Sequence, residues 1–368
     1  VSAFEDIRFF FGNRVRALYI GYVGYGNLGD EAICSAIKDL FANDISFYSS
    51  MKVGLILKLL GNRVGLKAIL LGGGTLIKGP SMHLKRLNNA FRLYPNSKLI
   101  TFGTGVGDEA LWASFGCKTD KTAWCSILNR SEYLSVRGPI SREFLQNWGV
   151  DKQIHVVGDP AMWFARNKIS PKQRRKYIGI NLGPSRNNIF GQDENRVLSF
   201  GANLIHLLNK NGWKITLFPV NNDDIPYLRR AAKMAGVNNL PMQQTFYHVE
   251  DTLKALEKQD IFVGEKLHSV VLANCAYTPA IMLEYRTKCR DYMRSINQEK
   301  WVYRTDNLDP NIIFDGLNEL YKNVDLYQDQ IYDQMQYWRR TLKEAAQQVK
   351  AIIMDDPFDI DDQGNNRV

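Results

Sequence analysis

Most of the familiar signatures of metal and cofactor chemistry are missing from this chain of 368 residues. It holds five cysteines, Cys34, Cys117, Cys125, Cys275 and Cys289, with no Cys-x-x-Cys pair. An odd number leaves one thiol over in any disulfide scheme, which points to a reducing compartment and away from a zinc site. No window approaches the roughly 18 uninterrupted apolar residues of a spanning helix. The first residues include Glu5 and show no apolar run ending in small residues, so no secretory leader is expected. The expected location is the cytoplasm. His-Glu-x-x-His, the Walker loop, Gly-x-Ser-x-Gly and a well-formed Asp-x-Asp are all absent, so neither a metal nor a cofactor is expected.

What is present suits a packed globular protein. Hydrophobic residues make up 45% of the chain and charged residues 23%, ordinary values for a protein with a real interior. At roughly 150 residues per domain, two domains are expected. The net charge is +9, although residues 355–368 hold five Asp against one Arg, so the body ahead of them is more basic still. Such a field attracts anions, from lipid headgroups to phosphorylated metabolites. No nucleic-acid partner is expected.

Apolar runs bounded by glycine alternate with helical patterns: ALYIGYV (17–23), AILLGGG (68–74), KLITFGTGVG (98–107), YLSVRG (133–138) and IHVVGDP (154–160). Continuous apolar runs, rather than strict alternation, are the mark of parallel strands covered on both faces. A second series follows the polar stretch 166–176, with YIGINLG (177–183), WKITLFPV (213–220), DIFVGEKL (260–267) and PAIMLEY (279–285). The βαβα order gives an α/β class. The expected organisation is a Rossmann-like domain over 1–168 and a second over 177–322. A helical segment over 323–354, one long helix or two, and a disordered acidic tail over 355–368 complete it.

The first loop, GYGNLGDEA (24–32), has the Gly-x-Gly-x-x-Gly spacing of a dinucleotide site. Two checks count against that use. Asp30 and Glu31 fall in the first helical turn, where they would oppose a pyrophosphate. The ribose-binding carboxylate due about 20 residues later is replaced by FYSSMK. The remaining readings are a capped glycine turn and a loop addressed to a substrate.

The loop GNLGDEA resembles the Gly-Asn-x-Gly-Asp-Glu loop of the polysaccharide pyruvyl transferase family. LLGGGTLI (70–77), SVRGPISREFL (135–145), VVGDPA (156–161) and KLHSVVLANCAYTPAIMLEYRTK (266–288) are similar to further family segments in the same order. The resemblance implies two Rossmann-like domains with a cleft between them, as in the GT-B glycosyltransferases, with 1–168 on the acceptor side and 177–322 on the donor side. It also implies transfer of the enolpyruvyl group of phosphoenolpyruvate to two hydroxyls of a sugar, in a polysaccharide or lipid-linked oligosaccharide. Phosphoenolpyruvate carries about three negative charges, so its site needs several cations, and ketal formation needs an acid and a base.

His268, in the family's His-Ser pair with Ser269, is the expected proton carrier. Lys266 stands where the family has arginine, which keeps the charge but removes the bidentate fork. Arg137 at a strand end, with Tyr285 and Lys288 after PAIML, completes the expected donor site, and Arg186 is a further candidate. Asn27 and Asp30 would line the acceptor wall, with Asp30 orienting or deprotonating a hydroxyl; both can also cap the helix. Gly73 and Gly74 would offer backbone N–H groups to an anion or sugar, and His83 would meet the acceptor. A nucleotide-sugar glycosyltransferase of the same architecture, or a non-catalytic relative that binds glycan or the inner membrane surface peripherally through its basic body, fits the same features.

Overall fold

The computed structural model describes residues 14–42, 44–49, 65–79, 82–245 and 247–355. The acidic tail past Asp355 and the first 13 residues, where no leader is expected, lie outside the described residues.

The first half is built from β1 (Val15–Ile20), α1 (Leu28–Phe41), β2 (Ile45–Ser49), β3 (Leu66–Leu71), β4 (Gly74–Ile77), α2 (Met82–Leu93), β5 (Lys98–Thr101) and β6 (Thr104–Val106). It continues through α3 (Glu109–Ser114), α4 (Lys121–Leu128), β7 (Ser131–Tyr133), β8 (Ser135–Val136), α5 (Pro139–Asn147) and β9 (His155–Val156). Five strands form a parallel sheet in the order β2-β1-β3-β5-β7. A second parallel sheet, β4-β6-β8-β9, continues three of them past a crease. The crease falls where Gly72 and Gly73 separate β3 from β4, and Phe102 and Gly103 separate β5 from β6. Gly103 and Gly74 have left-handed φ values of 60° and 91°, a conformation that glycine adopts without steric cost.

The second half contains β10 (Tyr177–Asn181), α6 (Glu194–Lys210), β11 (Lys214–Leu217), α7 (Asp224–Met234), α8 (Val249–Glu257), β12 (Ile261–Gly264) and α9 (Leu267–Cys275). It then runs through β13 (Ala280–Glu284), α10 (Lys288–Ser295), β14 (Val302–Arg304) and α11 (Pro310–Lys322). Its parallel sheet has the order β11-β10-β12-β13-β14. Both halves therefore repeat one doubly wound topology, whose switch point lies between the first and third strands. The carboxyl ends of those strands are where such sheets hold ligands.

A single helix, α12 (Val324–Met354), closes the chain. Ile331, Met335, Trp338, Leu342, Ala345, Val349 and Ile353 are buried along it, a stripe at helical spacing. That stripe carries it back over the first half. The Trp338 indole donates to Ser295 O at 3.0 Å, Lys350 pairs with Asp44 at 2.8 Å, and Asp355 pairs with Lys98. One buried apolar cluster runs from α1 through the 3-10 turn Pro160–Phe164 to the second sheet and α12, so the halves share a core.

Candidate active site

The strand ends of the two halves face each other across a cleft of about 290 Å³. From the first half, Asn27, Asp30, Gly74, Lys78, Trp112 and Arg137 line it; from the second, Lys266, His268, Tyr285, Arg286 and Lys288 do so. The volume is at the small end for ligand sites, suited to a compact anion plus one sugar edge.

The start of α1 explains the glycine loop. Leu28 N donates to Val220 O of the other half at 2.9 Å. The Asn27 side-chain oxygen accepts from Gly29 N at 2.9 Å and Asp30 N at 3.3 Å, and Glu31 N donates to Asn27 O at 3.1 Å. The three open amides of the first helical turn, those of Leu28, Gly29 and Asp30, are thus satisfied, so none of them remains for a pyrophosphate. Gly29 serves a different purpose. A Cβ there would lie 2.0 Å from Nδ1 of His268, so its bare Cα lets the opposite half approach.

Arg137 follows β8 and is completely buried. Gly105 makes room for it, since a Cβ there would stand 2.6 Å from Nη2. Its Nη1 lies 3.5 Å from Oδ2 of Asp159, and its Nε has no partner. A buried guanidinium with an unspent donor at the floor of a cleft is suited to an anionic ligand. His268 Nε2 lies 3.5 Å from the same Asp159 oxygen, an ion-pair contact rather than a well-formed hydrogen bond. Burial pushes the Asp159 carboxyl up, but His268 and Arg137 outweigh it and hold the group below the ordinary carboxylate range.

The other cations gather on one ring. Lys288, Lys266 and Arg286 stand 4.8, 5.1 and 5.2 Å from the centre of Tyr285, whose π-face offsets part of their mutual repulsion. Burial and the Arg286 charge still push the Lys288 ammonium down to about 7. Lys78, set 4.4 Å over Trp112, is lowered to about 8, again by burial first and Arg286 second. Opposite them, burial raises the Asp30 carboxyl against the pull of His268 and Lys288.

Two further contacts hold the walls together. Asp291 of α10 accepts from Ile140 N at 2.9 Å and from the Ser141 hydroxyl at 2.6 Å. It thereby caps α5, which has no side-chain cap of its own. Thr287 donates to Oδ2 of Asp108 at 2.7 Å. The second half thus completes elements of the first.

Of the residues singled out in the sequence, Asn27, Asp30, Gly74, Arg137, Lys266, His268, Tyr285 and Lys288 meet in the cleft. Four do not line it. Gly73 is a packing glycine: a Cβ would come within 2.7 Å of Ile33 and 3.1 Å of Pro160. Its neighbour Gly72 donates its N–H to Ile20 O at 3.0 Å, so the expected cradle of N–H groups is a crease between strands. The Ser269 hydroxyl donates to Lys266 O at 2.6 Å, within its own helix turn. Arg186 is exposed on the loop after β10, with a left-handed φ of 51°. His83 is buried edge-on against Tyr22 at 4.8 Å, and burial lowers it to about 4, which keeps it neutral. Lys266 lines the cleft but donates to Pro184 O and the Ser185 hydroxyl, both at 2.7 Å.

Asp159, in contact with two cleft residues, and Lys78, Asp108 and Trp112, which line the cleft, are among the groups that sequence reasoning left without a role. The Gly-Asp-Pro segment was the available signal for the first; nothing local marks the others. Among the described residues, no cluster of three or more His, Cys, Asp or Glu side chains is placed to hold a metal ion. Nor is any described helix long and apolar enough to cross a membrane.

The sequence matches the family model described as polysaccharide pyruvyl transferase over residues 27–287. No curated protein is similar enough in sequence to count as a match. In fold, the chain is similar to a putative UDP-N-acetylglucosamine 2-epimerase from Listeria monocytogenes, with a TM-score of 0.59 at 12% identity over 96% of this chain and 100% of that one. It is also similar to UDP-GlcNAc 2-epimerase from Neisseria meningitidis bound to UDP-GlcNAc, at 0.56 and 11% over 93% and 100%. A glycosyltransferase from Rickettsia africae gives 0.51 and 11% over 94% and 100%. These likenesses are of architecture, the two-domain Rossmann-like arrangement.

Proposed function

This chain belongs to the polysaccharide pyruvyl transferase family, and on that premise we propose that it moves the enolpyruvyl group of phosphoenolpyruvate onto two hydroxyls of a sugar as a pyruvate ketal. The sugar belongs to a polysaccharide or a lipid-linked oligosaccharide. The observation that carries the reading is the set of cations from both halves, Arg137, Lys266, Arg286 and Lys288, around one small cleft that also holds His268 and Asp30.

In this reading the donor's phosphate and carboxylate lie against Arg137 and the cations around Tyr285, while the sugar enters past Asp30 and Trp112. His268 delivers a proton to the methylene carbon, and Asp30 takes the proton of the attacking hydroxyl. The central carbon forms bonds to two sugar oxygens and gives up two in exchange, the π bond to the methylene carbon, whose electron pair takes the proton, and the bond to the phosphate oxygen. The two hydroxyl protons are balanced by one on the new methyl group and one on the departing phosphate. The raised Asp30 carboxyl suits a base that must later return its proton. The proposed setting is the cytoplasm, at the inner membrane face where the acceptor is lipid-linked.

The test is incubation with phosphoenolpyruvate and a panel of glycosides, following released phosphate and a new ketal methyl resonance. Equal amounts of the two products support the reading. Phosphate without ketal, or no turnover with any glycoside, contradicts it.

A further inference from the structure

Asp159, fully buried and in contact with two residues of the cleft, has no part in the scheme above. It follows Gly158, whose left-handed φ of 88° and missing side chain are enforced by Trp338, 2.9 Å from where a Cβ would stand. Oδ1 of Asp159 accepts from Ala161 N at 3.0 Å, which fixes the carboxylate. Oδ2 is shared: Arg137 Nη1 from one half and His268 Nε2 from the other each lie 3.5 Å away. One oxygen therefore faces a permanent cation and a cation that exists only when the imidazole carries a second proton.

Asp30 from α1 and Asp159 before the 3-10 turn interact with His268 directly, and Lys78 after β4, Arg137 after β8, Arg286 after β13, Lys288 at the start of α10 and Lys266 on its own connection line the same cleft. Among these, Asp159 is in contact with both the imidazole and a cation of the donor site. Asp159 and Arg137 are fully buried, so their fields are weakly screened.

We propose that Asp159 is a positioning residue that makes protonation of His268 conditional on an anion bound at Arg137. The proposal rests on the reading of His268 as the acid. With the cleft empty of anion, Oδ2 of Asp159 is shared between the Arg137 guanidinium and the imidazole. A donor phosphate or carboxylate that pairs with Arg137 leaves the field of Asp159 to the imidazole, which takes a proton from water. The acid is loaded when there is something to protonate.

The experiment is NMR of the imidazole carbons and nitrogens in the full chain, labelled at its five histidines and held at neutral pH. His268 is assigned by loss of its signal in His268→Gln. Adding phosphoenolpyruvate to the wild type is expected to raise the protonated fraction of His268 at least twofold. Arg137→Gln is expected to show a raised fraction before any ligand is added. Asp159→Asn is expected to lose at least half of the ligand-induced rise, while calorimetry still records binding. A fraction unmoved by bound phosphoenolpyruvate, or a rise of unchanged size in Asp159→Asn, overturns the proposal. Should Asp159→Asn not fold, Arg137→Gln decides: a fraction equal to that of the ligand-free wild type overturns it. Phosphoenolpyruvate that does not bind at all fails the functional reading, whereas binding without a change at His268 fails only this proposal.

Discussion

The two walls of the cleft are built on the same strand order but contribute opposite things. The first-half wall carries Lys78 and Arg137 against Asp30 and Asp108, and is close to neutral; the second-half wall carries Lys266, His268, Arg286 and Lys288 with no carboxylate. What the first half supplies instead is space and fixed backbone. Gly29 and Gly105 clear the way for His268 and Arg137, and Asn27 closes off the helix start. Charge for the donor thus sits mainly on one wall, and the room to receive it sits on the other.

That division can be broken from either side. The largest effect is expected from the basic wall: His268→Ala should lower turnover on the order of a hundred- to ten-thousandfold, with thermal melting unchanged. Next comes Arg137→Ala, which strands the buried Asp159. It should cost about 3 kcal/mol of stability, read by urea denaturation, along with most phosphoenolpyruvate affinity. On the spacious wall, Gly29→Ala places a methyl group against His268 and should lower kcat/KM about a hundredfold by misplacing it. Steady-state kinetics on the folded variant checks this.

Smaller effects sharpen the comparison. Lys288, lowered to about 7 by burial and Arg286, is a cation below that pH and neutral above it. Phosphoenolpyruvate should therefore bind about tenfold more weakly at about pH 8 than at about pH 6. Calorimetry at the two values gives the slope, and Lys288→Met should reduce it, leaving the part that comes from proton uptake at His268. The smallest change is Asn27→Ala, which removes a helix cap and should cost about 1 kcal/mol in denaturant melts, with far less effect on catalysis than Gly29→Ala.

The sequence made the strand ends legible because buried parallel strands are continuous apolar runs ending in glycine. Arg137, Lys266, His268 and Lys288 follow such ends, and chain order alone brings them to the carboxyl edge of their sheets. What escaped it depends on contacts between the halves. The glycines of the first loop fit a phosphate-binding spacing, yet their purpose is set by His268, more than two hundred positions away. Gly73 suggested exposed N–H groups, because a sequence shows the missing side chain but not the Ile33 and Pro160 atoms that require it to be missing. Asp159 was visible as part of Gly-Asp-Pro. Its contact with both Arg137 and His268 exists only once two sheets are packed together. Lys266 shows the converse: its position was legible, but its ammonium is engaged by Pro184 and Ser185 on a neighbouring loop.

The central claim is that the second-half cations and Arg137 form a site for a small trianion rather than for a nucleotide. Calorimetric titration of the full chain with phosphoenolpyruvate and, separately, with UDP tests it most directly. The account predicts one phosphoenolpyruvate bound per chain, lost in Arg137→Ala, and no measurable heat from UDP. Tight UDP binding with none for phosphoenolpyruvate would contradict it.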